Sequence, residues 1–203
     1  FTAVNNVDCI LKTQKLLSYL PMNNAEGTVM EVSNDDVNRL VDISEYETTK
    51  DVSDLIKSFA DNSTFLELYA SYAKELACGL VSVGGMVAGI VGNRKSVNGG
   101  ILTAAAARKA ARMISFCDSF NIPVVTILDS EGPDVSIEAE ASPYAAELAK
   151  LAYAYAGAKT PMITVIAGEA YGAVFSLMGS KSLGSDVVLA LDSAKIGVMS
   201  AKK

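Results

Sequence analysis

Two apolar runs constrain this chain more than any other feature. Val124–Leu128 and Met162–Ala167 are rich in β-branched residues and show no polar–apolar alternation, the mark of strands covered on both faces. Amphipathic segments flank them. Over 104–120, Ala110, Met113, Ile114, Cys117 and Phe120 form an inward stripe, while Arg108, Arg112 and Ser115 face outward, and Asn121 and Pro123 end the helix. After the first run, Ser142 is expected to cap a helix with Pro143 in its first position and Gly157 closing it. A short helix over Gly172–Met178 and strands over Val187–Leu191 and Ile196–Met199 follow. Upstream, Leu80–Val83 and Met86–Gly92 read as a hairpin around Gly84-Gly85. This order implies an α/β domain with largely parallel pairing and right-handed crossovers. Further toward the N-terminus the pattern gives a helix over Val7–Leu20 stopped by Pro21 and a polar, irregular arm from Pro21 to Lys50. An amphipathic helix over Asp51–Ala60 and a strand over Phe65–Tyr69 complete the reading.

The 203 residues contain no histidine. A Ser-His-Asp triad, a Cys-His dyad and any His-ligated metal are thereby excluded within the chain. The three cysteines, Cys9, Cys78 and Cys117, are widely spaced and lack a CxxC pair. They read as reduced, mostly buried thiols of a cytoplasmic protein, with no metal bound. A net charge of −6 argues against nucleic acid as a partner. No apolar run approaches the ~18 residues of a membrane span. The chain opens at Phe1 and stops at Lys203 without a tail, which reads as a piece of a longer polypeptide.

Chemistry must then come from carboxylates, lysines, tyrosines or the backbone. The strand-to-helix junction Ile166–Val174 is the first candidate: small residues let a ligand oxygen approach amides at a helix start. A tight turn with close packing is the alternative. The second candidate follows Leu128, where Asp129, Glu131 and Asp134 form either a carboxylate cluster or a solvated turn. Asn98-Gly99-Gly100 could aim amides at an anion, and Arg94 and Lys95 could meet phosphates or simply cap a hairpin end. Tyr153 and Tyr155 read as packing residues.

Several segments resemble the carboxyltransferase subunits of biotin-dependent acyl-CoA carboxylases and decarboxylases. Ala110-Ala111-Arg112 with Phe116–Thr126 resembles "KAARFVRFCDAFNIPLVT". Ala149–Ala156 resembles "AKLLYAYA", Thr164–Met178 resembles "TVITRKAYGGAYDVM", and Leu17–Asn24 resembles "LSFLPSNN". The resemblance spans nearly the whole chain and is weakest from Ala25 to Ser63. It implies the crotonase-like (ClpP/crotonase) ββα spiral and the second, C-terminal half of such a subunit. Residues 1–63 would then lead in from the first half as a linker helix and irregular arm, and 64–203 would form the C-terminal domain, truncated at its end.

The implied reaction moves a carboxyl group between carboxybiotin on a carrier domain and an acyl-CoA of acetyl, propionyl, methylmalonyl or glutaconyl type. In the family, amides of the first half hold the thioester oxygen and amides of the second hold biotin's ureido oxygen, so no side-chain base is required. Here those amides would belong to Ala173 and Val174, with Gly132, Tyr171, Gly172 and Ser176 in the substrate- and biotin-binding surroundings. The family's "AYGGA" reads Ala170-Tyr171-Gly172-Ala173-Val174. Ser176 occupies a specificity position that is often Asp, and Gly132 alone is kept from the family's "VPGF.PG" loop. Implied partners are the first half of the carboxyltransferase, a biotin carboxyl carrier protein and further copies of the chain. The alternative is a non-catalytic or differently acting acyl-CoA-binding subunit on the same fold.

Overall fold

The computed structural model describes residues 2–200 except 31, 32, 34 and 37. Its organising element is the hairpin of β2 (Leu76–Val83) and β3 (Met86–Asn93), antiparallel in register from Leu76↔Asn93 to Val83↔Met86. Both turn residues, Gly84 (φ 58°) and Gly85 (φ 80°), are left-handed, which matches the twist of a two-residue hairpin. Asp61 pins the turn by accepting Gly84 N–H at 3.0 Å, Gly85 N–H at 2.8 Å and the Ser82 hydroxyl at 2.8 Å. β1 (Phe65–Leu68) pairs antiparallel with β2. From β3 onward the added strands are parallel: β4 (Val124–Ser130), β5 (Met162–Tyr171) and β6 (Val187–Ala190), with β7 (Lys195–Gly197) also against β5. The α/β expectation with largely parallel pairing is met.

One sheet face is covered by α4 (Ala104–Ser119) and α6 (Tyr144–Gly157). Ala110, Met113, Ile114 and Cys117 are buried as the periodicity requires, together with Leu151, Tyr155, Leu80, Val91, Val124 and Ile166. Phe120 is only half-buried and stacks on Phe116. Lys109 is also buried on α4. Its ammonium donates to the carbonyls of Leu76 (2.6 Å), Tyr72 (2.9 Å) and Ala73 (3.3 Å), tying the turn before β2 to the helix. Burial draws its pKa down. The opposite face carries α3 (Val52–Phe59), whose Val52, Leu55 and Ile56 pack on Ala77, Val81, Ile90 and Ile127. Helix α1 (Asn6–Ser18) ends before Pro21 as expected. Cys78 and Cys117 are buried free thiols, and Cys9 is exposed.

Four expectations change. The polar arm contains a helix, α2 (Ser44–Thr49), closed by left-handed Lys50 (φ 53°) and anchored by buried Tyr46. A single buried aromatic in a polar stretch does not register as periodicity. Strand β2 starts four residues before Leu80, at Leu76. Ser142 does not cap α6: its hydroxyl donates to the Ala139 carbonyl, an additional helix α5 (Ile137–Glu140) precedes it, and α6 begins at Tyr144. β5 continues past Ala167 to Tyr171, through a bulge described below.

Glu147 clamps α6 to α4. Its side chain is 5% exposed and pairs with Arg108 (3.2 Å) and Lys150 (2.9 Å). Hydrogen bonds from Arg108 and then Lys150 hold its carboxyl down to about 2, against an ordinary 4.5. A carboxyl depressed in the folded state contributes stability above its unfolded pKa, and that contribution is lost as pH falls through the folded value. Chemical denaturation followed between pH 6 and pH 2 is therefore expected to show stability declining below about 4.5, with Glu147→Gln flattening part of that decline. Identical acid profiles would contradict the clamp.

Candidate active site

Parallel pairing of β4 with β5 keeps one register from Val124↔Met162 to Leu128↔Ile166, then resumes at Ser130↔Ala170. Between these pairs one residue of β4, Asp129, opposes three of β5, Ala167, Gly168 and Glu169. Before this bulge β5 pairs with β6 (Ile163↔Val187 to Ile166↔Ala190). Beyond it, β5 pairs with β7 (Glu169↔Lys195 to Tyr171↔Gly197). The bulge bends the strand so that its last residues leave one group of neighbours for another.

Asp129 fills the gap. Its carboxylate accepts Glu169 N–H at 2.9 Å and the Tyr46 hydroxyl at 2.6 Å, and lies 3.3 Å from the Lys95 ammonium. A Cβ on Gly168 would come within 2.3 Å of this carboxylate, so only glycine fits opposite it. Lys95 also bonds Glu169 at 2.7 Å, and Lys195 lies 3.8 Å from Glu169. Burial weakens the charged form of Lys95, but the Glu169 and Asp129 carboxylates outweigh it and leave the pKa raised. Burial, then the bond to Asp129, pushes the Tyr46 hydroxyl upward.

The strand delivers Tyr171 and Gly172 to a turn. Gly172 adopts φ 54° and ψ −126° and precedes α7 (Ala173–Leu177). Its amide donates to Gly197 at 3.0 Å. As first-turn groups, the amides of Ala173 and Val174 have no acceptor within the helix, and none is found elsewhere among the described residues. Ala173 is half-buried, and Val174 is buried. The loop of Gly132 (φ 126°) lies against the end of β5: a Cβ on Gly132 would sit 3.7 Å from that of Tyr171, and one on Gly172 would sit 3.4 Å from Pro133. The loop is held by Leu102 N–H donating to the Gly132 carbonyl and Gly132 N–H donating to Ser130.

Gly132, Tyr171, Gly172, Ala173 and Val174 therefore converge. Ser176 is on the same helix, with its hydroxyl turned back onto the Gly172 carbonyl at 3.1 Å. The carboxylate cluster does not form: Asp129 is buried, Asp134 accepts Ser136 N–H, and Glu131 is exposed beside Gly99. Arg94 is not available to phosphates, because it is buried against Asp51, Glu67 and Ser53. Lys95 is spent on Asp129 and Glu169, as above. In the Asn98-Gly99-Gly100 turn the Gly100 amide is taken, since it returns to the Val97 carbonyl at 2.9 Å. Tyr155 packs as expected and bonds Thr126 at 2.9 Å, whereas Tyr153 is 82% exposed. Among the described residues no group of three or more His, Cys, Asp or Glu could hold a metal ion.

Tyr46, Lys95 and Gly168 are the residues whose role in supporting this junction sequence reasoning missed. A glycine directly after an apolar strand run signals a bulge or close approach, and that signal was available.

The family model of the carboxyl transferase domain matches residues 1–203. This chain belongs to the carboxyl transferase domain family. The methylmalonyl-CoA carboxyltransferase 12S subunit of Propionibacterium freudenreichii subsp. shermanii is 39% identical over 207 residues, which is 100% of this chain and 40% of that protein. The mitochondrial propionyl-CoA carboxylase beta chain of Homo sapiens is 36% identical over 204 residues, 98% of this chain and 38% of that protein. The chain thus spans about 40% of the length of the relatives it matches. Among solved structures, the transcarboxylase 12S hexamer with methylmalonyl-coenzyme A and methylmalonic acid bound superposes with a TM-score of 0.92 at 39% identity, over 98% of this chain and 39% of that one. The beta subunit of geranyl-CoA carboxylase from P. aeruginosa gives a TM-score of 0.72 at 25% identity, over 97% and 38%. The fold is crotonase-like, as the carboxyltransferase resemblance implied.

Within this carboxyl transferase domain the Gly172 turn carries a conformational demand. Its φ and ψ disfavour any L side chain, and a Cβ would sit 3.2 Å from the Val198 carbonyl. Gly172→Ala is expected to cost about 1–3 kcal/mol, measured by urea unfolding, with the loss confined to the α7–β7 region in amide exchange. Wild-type stability would show that the turn is not under this constraint.

Proposed function

We propose that this chain is the second half of a biotin-dependent carboxyltransferase and moves a carboxyl group between biotin and an acyl-CoA. The observation that carries the reading is the pair of acceptor-less amides at Ala173 and Val174, at the start of α7 and beside the Gly132 loop. The donor set suits a urea oxygen. Tyr171–Met178 contains no charged side chain, so no carboxylate competes for the two N–H groups and no cation is required for a neutral ligand. When bound, biotin supplies the carboxyl carrier. The chain's own contribution is to hold the ureido oxygen with two fixed dipoles, which need no reorganisation as negative charge develops there. Gly132 and Gly172 carry no side chain that would obstruct the approach, while Ser176, bonded to its own helix, would meet the acyl portion only after turning away.

Substrate preference follows the relatives: a propionyl- or methylmalonyl-CoA type acyl group, its thioester oxygen held by the first half of the subunit. Residues 1–63 lead in from that half, and 64–203 form the C-terminal domain. A biotin carboxyl carrier protein is the partner, and the working form is a cytoplasmic homo-oligomer. Among the described residues no helix is long and apolar enough to cross a membrane. One sheet face also favours assembly: Ile163 and Val165 pair in register with Val187 and Leu189, and Ile163, Val187 and Leu189 are exposed. Their strip continues a groove of about 390 Å³ along α3. Apolar area of this kind is normally covered by protein. A hydratase on the same fold is disfavoured because none of Asp129, Glu131 and Asp134 is both free and placed at the amides.

The test is carboxyl exchange in the assembled enzyme, with a biotinylated carrier and malonyl-CoA or methylmalonyl-CoA. Ala173→Pro deletes one N–H and should slow transfer on the order of a hundredfold. Ala173→Gly keeps the amide and should keep the activity. A folded Ala173→Pro enzyme with full transfer would refute the assignment, and no exchange in wild type would favour the non-catalytic subunit.

A further inference from the structure

The bulge in β5 lies between the ordinary sheet and the proposed amides, and what fills it comes from two distant parts of the chain. Glu169 N–H is the ladder donor displaced by the two extra residues of β5. It finds its acceptor in a side chain, the Asp129 carboxylate at 2.9 Å. That carboxylate is 2% exposed as a residue and is oriented by the Tyr46 hydroxyl at 2.6 Å, from a helix 83 positions away in sequence. Lys95 bridges Asp129 (3.3 Å) and Glu169 (2.7 Å), which ties the carboxylate to the strand it supports by a second route. Gly168 leaves the space that Asp129 occupies, since a Cβ there would overlap the carboxylate. Only Ala170 and Tyr171 separate Glu169 from Gly172, the residue that starts the turn.

We infer that Asp129, held by Tyr46, is a positioning residue for the Ala173 and Val174 amides: it fixes the shape of the β5 bulge and thereby the direction in which the Gly172 turn presents them. The inference rests on the reading of those amides as the donors for biotin's ureido oxygen. The carboxylate touches neither substrate nor carrier. Its effect is geometric, so an isosteric side chain able to accept the same hydrogen bond should largely replace it. Asparagine can offer its amide oxygen to Glu169 N–H and its NH2 to the Tyr46 oxygen; alanine leaves Glu169 N–H without an acceptor.

The experiment has two independent readouts. Amide hydrogen exchange is measured on the full chain, and kcat and KM on the assembled enzyme. In Asp129→Ala, exchange at 169–175 should quicken by about tenfold or more relative to residues 78–91 of the hairpin. kcat should drop on the order of a hundredfold, with KM for the acyl-CoA unchanged. Asp129→Asn should restore most of both. Tyr46→Phe should give a smaller change of the same pattern, and it carries the comparison if Asp129→Ala does not fold. Exchange that rises uniformly across the hairpin and the turn, or does not change at 169–175, would overturn the inference, as would an Asn variant no better than Ala. Wild-type enzyme without carboxyl transfer would instead overturn the functional reading, and the exchange comparison would still decide whether Asp129 shapes the turn.

Discussion

Where β5 leaves its register with β4, a backbone donor loses its ladder partner inside a protein layer, and the whole junction depends on how that donor is satisfied. An unpaired buried N–H costs about 1–3 kcal/mol, enough to select another path for the strand. Here the Asp129 carboxylate takes the place of the missing carbonyl, and the Tyr46 hydroxyl and Lys95 ammonium keep that buried charge solvated by protein. A carboxylate without such partners would be prohibitive in this position. With them, the strand bends, changes neighbours from β6 to β7, and ends on a glycine whose dihedral angles open a new helix.

For the proposed function, the consequence is a site built from main chain. A chain without histidine has few acid–base groups to offer, and three carboxylates near the junction are committed to structure: Asp129 to the bulge, Glu169 to Lys95, Asp134 to its own turn, while Glu131 lies exposed beside Gly99. What remains without a hydrogen-bond acceptor among the described residues is a pair of N–H groups on a segment, Tyr171–Met178, that carries no charged side chain. Donors of this kind stabilise charge through position alone, which shifts the demand from side-chain chemistry to rigidity. The buried network behind the turn meets that demand, and the antiparallel hairpin, pinned by Asp61, gives the parallel strands a fixed edge to build on.

Much of this was legible in the sequence, for specific reasons. Val124–Leu128 announces a buried strand because both its faces need apolar cover, and the 3.6-residue stripe of Ala110, Met113, Ile114 and Cys117 announces the helix that covers one of them. Gly84-Gly85 specifies its hairpin because both residues need positive φ. The Tyr171–Val174 turn stood out through small residues at a strand-to-helix junction. What stayed hidden was long-range. Arg94 looks like a surface cation until Asp51 and Glu67 are brought to it, and Tyr46 looks like a residue of a polar arm until its hydroxyl reaches Asp129. Periodicity reports local faces; it carries no information on which buried charge meets which partner across the fold. Gly168 leaves a local trace, a glycine in a strand, but its reason, the carboxylate opposite, is long-range as well.

The central claim is that the amides of Ala173 and Val174 are presented to a ligand oxygen. Its most direct measurement is a 15N–1H spectrum of the full chain titrated with biocytin, a soluble stand-in for the biotinylated lysine. Saturable downfield shifts are expected on the Ala173 and Val174 resonances, with smaller changes at Gly132 and Gly172 and none along the β2–β3 hairpin. Biocytin that leaves these two amides unmoved while shifting residues elsewhere would contradict it.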